Sequence, residues 1–156
     1  MSDASDARFE LDPRLAADTV FVADWKLCRV LLMDDARFPW LILVPRKPDL
    51  VELDDLDEAD RTRLMHETQH AMKTLRAVTP CDKFNVGALG NIVRQLHVHV
   101  VVRREGDPAW PGPVWGSGLA DHYMPDVRNG LVNRLQAEGQ DYCEDFNGIS
   151  RANRDG

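Results

Sequence analysis

The chain has 156 residues, of which 44% are hydrophobic and 29% charged, with a formal net charge of −7 at pH 7. This composition predicts one globular domain spanning residues 1–156. The acidic balance argues against a protein that coats DNA or RNA, because such binding depends on clustered Lys and Arg, but it is compatible with a small anionic ligand in a locally positive pocket. No apolar run approaches the roughly 20 residues of a membrane helix, and the polar N-terminus differs from a signal peptide, so we expect a cytoplasmic protein with no membrane partner.

The first third of the chain predicts a short helix and three strands. Residues 11–18 form the helix, with Pro13 in its first turn, where proline is tolerated. Residues 19–24 and 26–35 have the composition of strands, and the continuous apolar run within 38–46 predicts a third strand that is buried on both faces. Because the links between them are short, these strands are expected to form an antiparallel meander.

The middle of the chain predicts one long helix followed by two strands. The helix covers 57–79, with Asp57 as its N-cap and Pro80 directly after its end. Residues 81–91 are a predicted fourth strand that runs into a Gly-Asn turn, and 93–104 are a predicted fifth strand. This order predicts an α+β fold, in which helices pack against an antiparallel sheet.

The C-terminal part is predicted to extend a core domain that covers residues 10–112. Residues 113–145 form this extension, with a helix near 125–137, and 146–156 are expected to be a flexible tail. The three cysteines are far apart and odd in number, which fits neither a disulfide framework nor a thiolate metal site.

The segment HETQH at residues 66–70 matches the H-E-x-x-H pattern of zinc proteases. At about 100° per residue, His66 and His70 fall on the side of the predicted helix opposite Leu64, together with a lysine and an arginine. A zinc protease needs both histidines to face a cleft and to meet a third ligand. We therefore interpret HETQH as a solvated helix face and predict no metal site.

A second histidine pair lies in QLHVHVVVRR, residues 95–104. Side chains alternate along a strand, so Gln95, His97 and His99 are expected on one face, and the intervening leucine and valines on the core face. Three interpretations compete: a structural pair, a metal site that recruits ligands from other strands, and a catalytic pair in which one imidazole is a nucleophile. The upstream segment FNVGALGN favours catalysis, because a glycine turn lets backbone N–H groups approach an anion.

These motifs resemble the histidine triad (HIT) family of nucleotide hydrolases and transferases. The family motif is His-φ-His-φ-His-φ-φ, where φ is apolar, and this chain reads QLHVHVV from Gln95, with glutamine at the first histidine position. Four further segments resemble the family in the expected order. The family's ribose-side strand with its aspartate is similar to CRVLLMDD, and its strand ending in proline and basic residues is similar to WLILVPRKP. The strand with the binding-site asparagine is similar to FNVGALGN, and a Trp-Pro segment is similar to PAWP. The resemblance implies a HIT-like fold, with a five-stranded antiparallel sheet, one long helix packed on it and, here, an additional C-terminal helix.

The resemblance also implies a reaction, with no cofactor or metal. His97 is the implied nucleophile, which attacks the α-phosphorus of a nucleotide conjugate and forms a nucleotidyl-histidine that water then cleaves. A backbone carbonyl is implied to accept a hydrogen bond from Nδ1 of His97, leaving Nε2 free to attack. His99 is implied to bind the phosphate or the leaving group, and Gln95 to orient the site. The implied substrate-binding residues are Asn85, Asp34 or Asp35, Gly90 and Asn91.

Two departures from the family pattern concern ionisable groups. Gln95 replaces the first histidine of the motif, and Pro48 stands where a histidine often follows the proline-basic segment. These departures motivate an alternative function, a non-catalytic nucleotide-binding or signalling module on the same fold. For an enzyme, the substrate is expected to be a dinucleoside polyphosphate or a nucleoside phosphoramidate rather than a nucleic acid polymer. The resemblance further implies a homodimer, and a histidine restored at position 95 is expected to preserve or raise activity.

Overall fold

The computed structural model describes residues 9–140 and shows an α+β fold built on one antiparallel sheet of five strands, as predicted. The elements are α1 (Pro13–Asp18), β1 (Thr19–Asp24), β2 (Cys28–Met33), β3 (Trp40–Pro45), a short 3-10 turn (Leu53–Asp55), α2 (Glu58–Val78), β4 (Lys83–Gly87), β5 (Val98–Arg103) and α3 (Pro125–Glu138). The strand order is β1-β2-β3-β5-β4. The sheet therefore places β5 between β3 and β4, although β4 precedes it in the chain.

Both faces of the sheet are covered. One face carries the larger core, where α2 packs against alternate residues of β5, including Val98, Val100 and Val102, and α3 packs on α2 and β1. The opposite face is covered by α1 and by the chain that follows β5, in a second cluster that contains Val101 and Val114. All six residues of β5 are consequently buried. The expected separation of core and site faces is confirmed, but the site face is enclosed rather than half exposed.

Strand β5 begins later than the sequence pattern predicts. It starts at Val98 instead of 93, because the preceding residues leave the β4–β5 ladder and Leu96 donates its backbone N–H to the carbonyl of Leu50. His97 thus lies directly before the strand, whereas His99 lies within it, opposite Ile42 on one side and Gly87 on the other. Gln95 is outside the strand, so the prediction that it shares a strand face with the two histidines is wrong.

Helix α2 buries a side that the hydrophobic pattern assigned to solvent. Asp57 caps the helix as predicted, by accepting from the backbone N–H of Asp60. His70, however, is 8% exposed: its ring packs edge-on against Trp25 at 4.7 Å between centroids, and its Nε2 lies 3.1 Å from the carbonyl oxygen of Gly139. The expected exposure of His70 is wrong because the β1–β2 turn and the end of α3 cover this side of α2.

Glu67, the second residue of HETQH, fixes α2 to the sheet. The carboxylate of Glu67 is fully buried and accepts the backbone N–H groups of Leu27 and Cys28, each at 2.8 Å. Burial raises the pKa of Glu67, although the two backbone hydrogen bonds oppose this. Glu67 is therefore a structural anchor between α2 and the start of β2.

The C-terminal extension folds back onto the molecule. Its helix α3 covers Pro125–Glu138, close to the predicted 125–137, and packs on α2 and β1. No helix in residues 9–140 is both long and apolar enough to cross a membrane. The tail predicted at 146–156 lies outside the described residues.

Candidate active site

A cavity of about 530 Å³ opens on the covered face of the sheet, beside the two histidines of the motif. Its wall comes from five segments: helix α1, the end of β2, the start of β3, the glycine turn between β4 and β5, and the extension after β5. The lining includes Arg14, Asp34, Asp35, Arg37, Trp40, Gly90, Asn91, His97, His99, Trp115 and His122. Segments that are distant in sequence thus surround the histidines.

The hydrogen bond of His97 defines which of its nitrogens is available. Its Nδ1 lies 2.6 Å from the backbone carbonyl oxygen of Gln95, and a carbonyl can only accept. Nδ1 of His97 therefore carries the proton, and Nε2 of the neutral ring retains its lone pair. The backbone carbonyl implied by the family resemblance is thus the carbonyl of Gln95, and it performs this role without a histidine side chain.

His99 has the opposite arrangement. The indole Nε1 of Trp40, which can only donate, lies 3.0 Å from Nδ1 of His99. In the neutral ring the proton is therefore on Nε2. Burial, together with the neighbouring His97, lowers the pKa of His99 to about 3, so the ring is neutral at pH 7. The two imidazoles stand 4.8 Å apart between centroids.

Trp115 from the extension packs on this pair. Its ring meets His99 edge-on at 5.5 Å and Trp40 at 6.3 Å between centroids. It lies directly on β4, where a Cβ added at Gly87 would come within 3.3 Å of the indole. Glycine at position 87 therefore allows the indole to reach His99, and Trp115 is both an anchor of its loop and a wall of the cavity.

The side chain of Gln95 is not directed at the histidines. Its Oε1 accepts the backbone N–H of Asp12 at 2.9 Å, and its Nε2 donates to the carbonyl of Glu10 at 2.8 Å. These bonds hold the chain that leads into α1, and α1 contributes Arg14 to the cavity wall. Gln95 thus orients the site indirectly, by fixing one of its walls.

The two candidate aspartates at the end of β2 differ in accessibility. Asp35 has a side chain only 3% exposed and forms a bidentate ion pair with Arg37. Burial acts to raise the pKa of Asp35, but the hydrogen bonds from Arg37 and from the backbone of Asp121 outweigh it and lower the pKa. The side chain of Asp34 is 20% exposed, and its carboxylate contacts His122 and the backbone N–H of Tyr123. Both aspartates line the cavity, and Asp34 is the more accessible carboxylate of the two.

The remaining predicted binding residues separate into two groups. Gly90, in a left-handed conformation with φ of +73°, and Asn91 line the cavity. Asn85 lies opposite Val101 on β4, and its Oδ1 accepts from the guanidinium of Arg103 at 2.7 Å. Asn85 is not among the residues that line the cavity.

Sequence reasoning missed Trp40 and His122 at the cavity, and it did not predict the buried ion pair of Arg103. Trp40 begins β3, and its position beside His99 depends on the β3–β5 register, which the sequence of either strand alone does not give. Arg103 is 2% exposed and forms an ion pair with Asp107, and the hydrogen bond from Arg103 lowers the pKa of Asp107 to about 2. His122 belongs to an extension for which no motif was available.

No cluster of side chains that could bind a metal ion is present among the described residues. Between residues 9 and 140, no group of three or more His, Cys, Asp or Glu side chains is arranged to hold a metal ion. His66 and His70 are on α2, and neither residue lines the cavity beside the motif histidines.

Comparison with known proteins supports the arrangement described. An AP-4-A phosphorylase from Mycobacterium tuberculosis (strain ATCC 25618 / H37Rv) is 34% identical over 98 residues, which cover 59% of this chain and 50% of that protein. The chain thus spans about half the length of the curated relatives it matches.

Solved structures match over most of the chain. A histidine triad protein from Marinobacter aquaeolei VT8 is 42% identical with a TM-score of 0.83, covering 86% of this chain and 98% of that one. A histidine triad (HIT) protein from Sinorhizobium meliloti 1021 is 45% identical with a TM-score of 0.82, covering 85% and 98% of the respective chains. The family description "HIT domain" matches residues 14–106, more than half of the sequence. With the fold, the motif and these matches in agreement, the chain belongs to the HIT domain family.

Proposed function

We propose that this chain is a nucleotide hydrolase or transferase in which Nε2 of His97 attacks the α-phosphorus of a nucleotide conjugate. A covalent nucleotidyl-histidine forms, and an acceptor, water in a hydrolase, then releases the nucleotide. The observation that carries the proposal is the 2.6 Å contact between Nδ1 of His97 and the Gln95 carbonyl, which leaves the lone pair on Nε2. The same contact keeps the ring oriented throughout the reaction.

The cavity supplies the other requirements of this reaction. Phosphoryl transfer depends mainly on positioning and on stabilisation of charge, and donors near the reacting phosphate provide both without a metal ion. Nε2–H of His99 is such a donor, the glycine turn at Gly90 and Asn91 presents its backbone nearby, and Asp34 is available for the ribose hydroxyls. We include a cytoplasmic location and a dinucleoside polyphosphate or nucleoside phosphoramidate substrate in this proposal, the former substrate class being also the one that the name of the mycobacterial relative suggests.

A non-catalytic nucleotide-binding module is the second candidate. The observation that favours it is the side chain of Gln95, which bonds the N-terminal backbone instead of the nucleophile. The motif therefore presents two imidazoles to the cavity, His97 and His99. Binding of a nucleoside monophosphate without turnover of any conjugate would support this candidate.

The experiment that tests the proposal is a single-turnover assay with rapid quenching, which traps acid-labile nucleotide linked to histidine. We expect His97→Ala to abolish both the trapped species and the release of nucleoside monophosphate, while nucleotide binding persists. His99→Ala is expected to lower the rate about 10²-fold, as for a lost positioning donor. His66→Ala, which changes a histidine of α2, is the matched control. Wild-type activity in His97→Ala would refute the covalent mechanism.

A further inference from the structure

Trp40 determines what His99 can do in this site. Its indole N–H is bonded to Nδ1 of His99, and the ring is 6% exposed. The aromatic neighbours of His99 are Trp40, Trp115 and His97, none of which carries a negative charge that would stabilise an imidazolium. Its strand partners are Ile42 and Gly87, which are not ionisable. An imidazolium would need a proton on Nδ1, where the indole N–H already points.

We propose that Trp40 is a positioning residue that holds His99 as a neutral donor with its proton on Nε2, and that the site therefore cleaves phosphoanhydrides in preference to phosphoramidates. This inference rests on the proposed function and names the substrate class of the same site. A neutral imidazole donates a hydrogen bond to phosphate oxygen but does not transfer its proton to a leaving group near pH 7. The leaving group must therefore depart without one.

A phosphoanhydride meets this condition. The lone pair on Nε2 of His97 forms a bond to the α-phosphorus, the bond to the bridging oxygen breaks, and the electron pair leaves with a phosphate oxygen. In the second step water attacks the α-phosphorus, the P–N bond breaks and its electron pair returns to Nε2 of His97. The proton that water loses goes to solvent, and Nδ1–H remains bonded to the Gln95 carbonyl.

A phosphoramidate does not meet this condition, because its nitrogen must be protonated before an amine can leave. The Nδ1 proton of His97 is held by the Gln95 carbonyl, and Gln95 itself is not an acid. The remaining histidine that lines the cavity is His122, which is 74% exposed and lies against Asp34 at the rim. The test must therefore distinguish a site in which His122 protonates the leaving amine from a site in which no residue does.

The tautomer is measured directly by nitrogen NMR of the imidazole rings. We expect wild-type His99 to carry its proton on Nε2 throughout the neutral range, and Trp40→Phe to lose this preference. Trp115→Phe is the matched control, since Trp115 also contacts His99 edge-on but its N–H is not bonded to it. A wild-type ring that carries its proton on Nδ1, or that is doubly protonated near pH 7, overturns the role of Trp40.

The substrate preference is measured with diadenosine tetraphosphate and an N-alkyl phosphoramidate of AMP, in single-turnover assays on the full chain. We expect the phosphoramidate to react at least about 10²-fold more slowly, the usual contribution of a general acid. His99→Gln, which retains a neutral N–H donor, should keep more of the diadenosine tetraphosphate activity than His99→Ala.

Comparable rates for the two substrates would overturn the preference. If the phosphoramidate rate then falls in His122→Asn, His122 is the acid that the inference excludes. Failure to trap nucleotidyl-histidine from either substrate would instead refute the proposed function and the preference with it, while the NMR measurement would still decide whether Trp40 fixes the tautomer of His99.

Discussion

Gln95 contributes to the candidate site through its bonds to the N-terminal backbone, because its side chain is directed away from His97 and His99. Its amide presents a donor and an acceptor on the same side, and both are used by the backbone of Glu10 and Asp12. In a neutral imidazole the donor and the acceptor lie on opposite sides of the ring. Histidine at position 95 therefore cannot make both bonds, and the expectation that it preserves or raises activity needs revision.

We now predict that Gln95→His lowers activity by releasing the chain that leads into α1. The loss of one partly buried and one exposed hydrogen bond is expected to cost about 1–2 kcal/mol of local stability. Amide hydrogen exchange should rise in residues 10–18, and KM should rise because Arg14 lines the cavity. Arg94→His, at the adjacent exposed position, is the control and should leave both the amide exchange of residues 10–18 and KM unchanged. Protection equal to wild type in Gln95→His would contradict this account.

The two motif histidines differ in how far their hydrogen-bond partners could be predicted from the sequence. The motif alone selected His97 and His99, and the family resemblance implied that a main-chain carbonyl orients His97, which the structure supplies in the carbonyl of Gln95. The partner of His99 was not predictable in the same way, because Trp40 is 59 residues away and meets it only through strand pairing. Local patterns predict local bonds, whereas contacts between strands require the register.

At the scale of elements, the link between α2 and β2 depends on one buried carboxylate. Both oxygens of Glu67 are used, one by the N–H of Leu27 and the other by that of Cys28. Burial and the proximity of Glu67 also raise the pKa of the Cys28 thiol well above its usual range, so Cys28 remains a neutral thiol. The helix is thus fixed to the sheet by polar bonds at the centre of an apolar contact.

We predict that Glu67→Gln lowers the free energy of unfolding by about 1–3 kcal/mol, the cost of a buried donor left without an acceptor. The amide has one oxygen, so its NH₂ group must face one of the two backbone N–H groups. Chemical denaturation monitored by circular dichroism measures the difference. Glu105→Gln, an equivalent change in an exposed turn, should be nearly neutral. A loss in Glu67→Gln no larger than that of the control would show that the anchor contributes little.

A second polar anchor, the ion pair of Arg103 and Asp107, holds the segment after β5. It leads us to predict a pH dependence of the free energy of unfolding. The hydrogen bond from Arg103 depresses the pKa of Asp107 from 3.8 to about 2, so the folded state favours the ionised form. This contribution is present above the unfolded-state pKa and is lost as the pH falls towards 2. Its size is on the order of 2 kcal/mol. The difference in unfolding free energy between wild type and Asp107→Asn should therefore shrink between pH 4 and pH 2, and a constant difference would contradict the assignment.

Helix and strand bounds were predicted well where local sequence signals determine them, and less well where contacts between distant segments determine them. The long helix was predicted at 57–79 and is observed at Glu58–Val78, because capping and proline signals are local. The exposure of His70 was not predictable, since α3 and Trp25 cover it from distant parts of the chain. Strand β5 was predicted five residues too long at its start, because the apolar pattern continues through Leu96 although the backbone leaves the ladder.

At the scale of the whole molecule, the N-terminal helix α1 and the segment 114–122, which follows β5, meet over one face of the sheet. Helix α1 arrives from the N-terminal side and the segment 114–122 from the C-terminal side, and both line the cavity beside His97 and His99. The extension binds the end of β2 through Asp34 and Asp35, whose partners include backbone N–H groups of Asp121 and Tyr123. The family motif thus contributes His97 and His99 to the cavity, while segments before and after it contribute the surrounding walls.

One edge of the sheet offers a surface for the homodimer that the family resemblance implies. Strand β4 lies at this edge, and an edge strand presents unpaired backbone groups to another chain. Val86 in this strand is 45% exposed, and Leu89 and Ile92 beyond it are exposed as well. Together with the family resemblance, this edge leads us to predict a symmetric homodimer in which the β4 strands of two copies meet.

Light scattering at micromolar concentration should therefore give about twice the 17.7 kDa mass of one chain. Val86→Lys is expected to shift the protein towards the monomer, because lysine on an edge strand disfavours pairing by charge repulsion across the two-fold axis. Val127→Lys introduces the same charge at an exposed site on α3, where Val127 is 60% exposed, and should leave the dimer intact. A wild-type monomer would refute the dimer, whereas a dimer that persists in Val86→Lys and dissociates in Val127→Lys would move the interface from β4 to α3.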